Sequence, residues 1–153
     1  YHAITKGYLF FATFDADGQF DPEDLERLLE VQIKENSDIV IGIRSHLNRV
    51  SEHIINFYGR FKFGISDPLC GLKLYRSSSA SKYLPFDRLQ LVGMELACRM
   101  VMAGCKMCEC SVAVRPRRDG SRYGQSFGGE LKILRAFFTT IKVFGLRSKV
   151  NKK

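Results

Sequence analysis

No run in this 153-residue chain approaches the ~20 consecutive apolar residues that a bilayer-spanning helix needs, which excludes a transmembrane helix. Tyr1 to Phe14 lacks a basic lead-in and a small-residue cleavage site, so the start does not read as a signal peptide. An initiator Met is also missing, and Tyr1 stands only a few residues before a long apolar run, so an upstream segment is expected. There are five cysteines, an odd number, and four of them (Cys98, Cys105, Cys108, Cys110) lie close together. Cys105 and Cys108 have half the spacing of a zinc site, but no second Cys or His pair follows at a suitable distance. Reduced, structural thiols in a cytoplasmic protein are therefore expected, with a metal or redox role as the weaker alternative.

Acidic residues are scarce at one end only. Residues 1 to 114 carry 13 basic and 14 acidic side chains, whereas residues 115 to 153 carry 11 basic and 2 acidic. The net charge of +8 thus belongs to the last quarter of the chain and implies an anionic partner there. Hydrophobic residues at 45% and charged residues at 26% are ordinary for a globular domain and exclude a disordered chain.

The apolar and aromatic run Tyr8 to Phe14 reads as a strand buried on both faces, and it stops at Asp15-Ala16-Asp17-Gly18. Asp21 is a good N-cap and Pro22 a good first helical residue, with Leu25, Leu28, Leu29 and Ile33 as the buried stripe. Asn36 and Ser37 end that helix, and Ile39 to Ile43 is a second buried strand closing on Arg44. Ser51 can cap a further helix with Ile54, Ile55, Tyr58 and Phe61 inward and Gly64 as its stop. A short strand around Leu72 to Tyr75 follows the turn at Asp67-Pro68, and Ser77 to Ser81 is a polar loop or helix start. A helix over Gly93 to Ala103, a strand over Lys106 to Val114, a loop over Arg115 to Gly129 and a helix over Glu130 to Leu146 complete the order, with a disordered tail expected past Arg147. This is an α/β pattern with a mostly parallel sheet.

Two acids one residue apart, at the carboxyl end of a strand, stand where open α/β sheets bind ligands. Carboxylates there suit Mg²⁺ or Mn²⁺, which keep some water and take substrate phosphate oxygens as further ligands. The bland alternative is a surface turn of solvated acids; the apolar run before it and Gln19, Asp21 and Pro22 after it favour the metal.

Phe14-Asp15-Ala16-Asp17-Gly18-Gln19-Phe20-Asp21-Pro22 resembles the Asp-x-Asp segment of family 2 glycosyltransferases, especially the dolichyl- or polyprenyl-phosphate mannose synthase group. Ile39 to Arg44 resembles that family's strand ending in Gly-x-Arg. Asp67-Pro68-Leu69-Cys70-Gly71-Leu72-Lys73-Leu74-Tyr75-Arg76 resembles the acceptor-side segment, and Arg117-Arg118-Asp119-Gly120-Ser121-Arg122 the basic loop, one residue short and with Arg122 in place of Lys. An Arg clamps phosphate bidentately where Lys acts as a point charge, so the exchange is chemically sound. The family's opening strand and its base-holding residues are absent ahead of Tyr1.

The resemblance implies a GT-A-like (Rossmann-like) three-layer α/β sandwich, N-terminally incomplete, with residues 1–129 as the later part of a catalytic domain and 130–153 as an amphipathic helix and basic tail. It implies an inverting, metal-dependent hexosyltransferase that moves sugar from a nucleotide diphosphate donor to a polyprenyl phosphate or growing glycan. The triplet Asp15-Ala16-Asp17 would meet the donor, with Asp15 on the ribose and phosphate side, Asp17 on the metal, and Gln19 adding a metal or water contact. Arg44 would approach the nucleotide or sugar diphosphate, or else be a strand-end surface charge. Arg117 or Arg118, with Arg122, would close over the phosphates. Asp67 would belong to the acceptor site, and Glu95 would be either a base or a helix-start charge. A carboxylate is needed to deprotonate a hydroxyl acceptor, but a phosphate monoester with a second pKa of about 6 is already ionised.

The final helix pairs the apolar Leu131, Ile133, Leu134, Phe137, Phe138, Ile141, Val143, Phe144 and Leu146 with the basic Lys132, Arg135 and Lys142. That composition suits a peripheral position on the cytoplasmic face of a membrane, against the alternative of packing on the sheet or forming an oligomer contact. A nucleic-acid module would explain the basic end but not the strand ending in two acids, so no nucleic-acid partner is expected. The alternatives to the transferase are a non-catalytic membrane- or partner-docking fragment of such an enzyme and that basic nucleic-acid-binding domain.

Overall fold

The computed structural model describes residues 2–15, 17–47, 49–85, 93–115 and 127–150. After a single helical turn, α1 (His2–Thr5), the chain forms β1 (Phe10–Thr13), α2 (Pro22–Glu35), β2 (Ile39–Arg44), α3 (Val50–Phe63) and β3 (Lys73–Arg76). Then come α4 (Ser77–Ala80) running into a 3₁₀ turn at Ser81–Tyr83, α5 (Met94–Met102), β4 (Met107–Val112) and α6 (Phe127–Val150). The last helix begins earlier and runs further than the expected Glu130 to Leu146, taking in part of the tail.

The four strands lie in the order β1-β3-β2-β4. Alternation along the strands sorts the core into two layers. Val40, Leu72 and Leu74 face Leu28 of α2, whereas Ile39, Ile41 and Tyr75 face Ile55 of α3, Met100 of α5 and Phe137 of α6. The sheet therefore has helices on both sides, a three-layer α/β arrangement of the GT-A-like, Rossmann type.

The sheet is not mostly parallel, however. β2 and β4 are parallel, but β3 runs antiparallel to both β1 and β2. The reason lies in the segment before β3: Asp67 is bonded to Arg44 at the carboxyl end of β2, so β3 starts from that end and runs back.

The expected strand over Tyr8 to Phe14 shortens to Phe10–Thr13 and is only half-buried, because β1 lies at the edge of this sheet. Tyr8, Leu9 and Phe14 are exposed.

Two helices turn a different face inward than their apolar spacing predicts. In α2, Asp24, Leu28 and Gln32 are buried while Leu29 and Ile33 are exposed; Asp24 is paired with Arg27 at 3.0 Å, and Gln32 donates to the Ser37 carbonyl at 2.9 Å. In α3 the buried set is Ser51, Ile55, Gly59 and Phe63, the N-cap is Arg49 rather than Ser51, and Ile54 and Phe61 are exposed. Gly59 explains that choice: a β-carbon there would lie 2.8 Å from Pro68 Cγ and 3.0 Å from the Ile65 carbonyl oxygen, so only glycine permits this close approach.

The other local signals hold. Asp21 caps α2 by accepting from the Glu23 amide, Pro22 opens the helix, and Asn36 ends it in the left-handed conformation. All five cysteines are free thiols. No described helix is long and apolar enough to cross a membrane.

Candidate functional site

The site is built where the carboxyl end of β1 meets the segment leading into β3. Thr13 pairs with Lys73 in the last register step of the β1–β3 ladder, so the residues after Thr13 and those before Lys73 leave the sheet side by side. Asp15 thereby falls against Gly71. A β-carbon built on Gly71 would lie 2.0 Å from Asp15 Oδ2 and 2.3 Å from its Cγ, so the carboxylate occupies the space that any other residue at position 71 would fill. Asp17 follows in the turn, and its Oδ1 accepts the Gln19 amide at 3.2 Å, an Asx-type bond that fixes the loop.

The same turn anchors the chain leaving β4. The Arg115 amide donates to the Gln19 carbonyl at 2.8 Å, and the Arg115 guanidinium is paired with Asp21. Arg115, the last described residue before the expected basic loop, is thus tied to the turn that carries Asp17. Arg117, Arg118, Arg122 and Ala16 lie outside the described residues.

Behind Gly71 stands a charged cluster. Arg44 grips Asp67 with two side-chain bonds, Nε to Oδ2 at 2.7 Å and Nη2 to Oδ1 at 2.9 Å, and its backbone amide adds a third at 3.2 Å. Its remaining nitrogen bonds Glu52 of α3 at 3.0 Å. Burial alone would lower the Arg44 pKa, but the bonds to Asp67 and the charge of Glu52 reverse that and raise it. Arg44 is therefore committed to two carboxylates of its own chain, and Asp67, fully buried, is neutralised by it.

Glu95 is buried in the first turn of α5, with Arg99 one helical turn on at 3.5 Å. Gly93, which opens α5, accepts the Tyr75 hydroxyl at 2.9 Å and approaches Thr13, placing this helix start beside the end of β1. Thr13 Oγ1 is buried there without a hydrogen-bond partner among the described residues.

Sequence reasoning missed Lys73. It is fully buried, by alternation on the same sheet face as Tyr75, and its ammonium bonds the Cys70 carbonyl. Burial lowers its pKa, while Cys70, Asp67, Cys98 and Asp15 oppose that shift. The only sequence signal was a lysine inside the apolar run Leu72 to Tyr75. Cys70, beside it, has its thiol pushed up to about 11 by burial.

The donor set at the Asp15–Asp17 turn is made of hard oxygens, which suits Mg²⁺ or Mn²⁺. Among the described residues no group of three His, Cys, Asp or Glu side chains could hold a metal by itself. Two carboxylates that share an ion with substrate phosphates fit this arrangement, since such sites borrow their remaining ligands.

No curated protein matches the chain. The profile of Glycosyl transferase family 2 matches residues 2–84, more than half of the chain, and spans the Asp15–Asp17 turn, Arg44, and the Asp67–Lys73 segment that packs against it. The chain belongs to Glycosyl transferase family 2.

Proposed function

We infer that the chain carries the sugar-diphosphate site of a metal-dependent, inverting hexosyltransferase acting on a polyprenyl phosphate or a growing glycan. The observation that carries this reading is the seating of the Asp15 carboxylate on Gly71, two residues before Asp17, in a turn that Arg115 also anchors. Two acids held this rigidly at a strand end are pre-positioned for a cation and a diphosphate, whereas a solvated turn would leave them free to reorient.

Asp15 would face the ribose and phosphate side, and Asp17, with Gln19, would hold Mg²⁺ or Mn²⁺. The ion, when bound, would neutralise charge building on the departing diphosphate. Arg117 or Arg118, together with Arg122, would take phosphate oxygens from the other side. The acceptor oxygen attacks the anomeric carbon as the bond to the diphosphate oxygen breaks. The leaving nucleoside diphosphate keeps the electron pair, and the configuration inverts.

A phosphate acceptor is ionised near neutral pH and needs no base. For a hydroxyl acceptor the proton would pass to Glu95, since Asp67 is already engaged by Arg44. Asp67 then serves the acceptor side by holding the Cys70–Gly71 turn in place, through Arg44 and its carbonyl bond to the Cys70 amide.

Calorimetry of UDP and GDP, with and without Mn²⁺, on the wild type and Asp17→Ala tests this reading. Metal-dependent binding of one nucleotide, lost in Asp17→Ala, is expected. Absence of any metal-dependent binding in the wild type would overturn it.

A further inference from the structure

Helix α3 carries an exposed apolar stripe that the fold does not use. Val50 is 72% exposed, Ile54 45%, Phe57 78% and Phe61 85%. Their spacings of four, three and four residues put all of them on one face. The stripe is about 16 Å long at 1.5 Å per residue. Single exposed apolar residues need no explanation, but a continuous row with two nearly bare phenylalanines does.

The helix cannot roll to hide them. Its opposite face is pinned at Gly59, where even an added β-carbon would lie 2.8 Å from Pro68 Cγ and 3.0 Å from the Ile65 carbonyl oxygen, leaving no room for a bulkier residue. Tyr58, between the stripe and the core, meets the ring of Phe138 of α6 edge-on at 5.8 Å. Leu131 and Phe138, seven residues apart and 59% and 46% exposed, extend the apolar surface onto that second helix.

Charge on the two helices is one-sided. Their acids are held inward: Glu52 bonds Arg44, and Glu130 accepts the Ser51 amide at 2.8 Å and meets Arg49. Hydrogen bonds from Ser51 hold the Glu130 pKa below the usual carboxylate range, so it stays ionised and engaged. The exposed charges are Arg60 and Lys62 on α3 and Lys132, Arg135 and Lys142 on α6. No acid is exposed on either helix among the described residues.

We propose that α3, with α6 beside it, is a docking face for an anionic lipid surface, its aromatic stripe entering the headgroup boundary and its lysines and arginines resting on the anionic heads. An apolar row rimmed by cations matches that interface in both respects. A second copy of the chain would bring the same cations face to face across a two-fold axis. A nucleic acid would leave the stripe in water. The assignment rests on the surface alone and not on the donor chemistry, and it makes α3, rather than the final helix by itself, the principal contact.

Flotation of the chain with phosphatidylcholine vesicles, with and without phosphatidylserine, tests the proposal. Binding is expected only to the anionic vesicles, weakening as salt is raised. Phe57→Glu with Phe61→Glu should reduce it by roughly tenfold or more, since two exposed rings are removed from the contact. Both positions are exposed, so circular dichroism should be unchanged; Lys132→Glu with Lys142→Glu offers an independent loss from the other helix. Metal-dependent nucleotide binding measured on the same variants separates this outcome from failure of the transferase reading. Equal binding to both vesicle types, binding that survives the Phe substitutions, or a wild-type dimer in gel filtration that the Phe substitutions dissolve would each overturn it.

Discussion

The Asp15 carboxylate rests on the Cα of Gly71, 56 residues further along the chain, in the space a side chain at position 71 would need. The three atoms that a new β-carbon would meet first all belong to the Asp15 side chain, not to backbone. Gly71→Ala should therefore displace Asp15 while leaving the fold within ~1 kcal/mol of the wild type. The expected result is a loss of Mn²⁺-dependent nucleotide affinity of about tenfold or more, since small misplacements of a positioning group are costly. Calorimetry beside urea unfolding would read both quantities.

Breaking the Arg44–Asp67 pair should act on stability. Asp67→Asn leaves Arg44 without its buried counter-charge and is expected to cost roughly 3–5 kcal/mol. Arg44→Met paired with Asp67→Leu removes both charges and should recover much of that loss. Urea midpoints of Arg44→Met, Asp67→Leu and the double variant would show the recovery, the double losing less than the two singles summed.

Gly59→Ala is a case where helix propensity and packing disagree. Propensity alone favours Ala by about 1 kcal/mol in a helix interior. The contacts with Pro68 and the Ile65 carbonyl are to a rigid ring and to backbone, which cannot give way cheaply. Overpacking of this kind costs about 1–3 kcal/mol, so the substitution should destabilise on balance, and thermal melting would show the sign.

Thiol labelling should split the cysteines into two classes. Burial pushes Cys70 up to about 11 and Cys98 up to about 12, so neither forms appreciable thiolate near pH 8. Both are also closed to solvent, whereas Cys105, Cys108 and Cys110 are only partly covered. Iodoacetamide at pH 8 followed by peptide mass analysis should modify some of the latter three within minutes and leave Cys70 and Cys98 unmodified until the protein unfolds.

What was legible in the sequence was what local forces decide. The Asp21-Pro22 start of α2 and its stop at Asn36 follow from capping and from φ, and both stand where expected. The two acids were legible because an apolar strand delivers them to its carboxyl end, where Asp15 seats on Gly71. The direction of β3 was not, because it depends on Arg44 holding Asp67 across 23 residues. The inward face of α3 was hidden for a related reason: its buried positions include Ser51 and Gly59, chosen by close approach to Pro68 rather than by hydrophobicity. Arg44 read as a group for the nucleotide, yet two carboxylates of the chain itself hold it, a fact carried by geometry that no spacing encodes. Lys73 likewise looked polar in sequence and is among the most deeply buried side chains.

The antiparallel pairing of Thr13 with Lys73 has a kinetic consequence. The two halves of the site are 60 residues apart in sequence, and no shorter loop brings Asp15 to Gly71. Contacts of such separation form only after the entropy of closing the intervening chain has been overcome, so they complete late in folding. The site cannot preassemble on either strand alone. A nucleotide-binding measurement on this chain is thus also a measure of how much of it has reached the native topology.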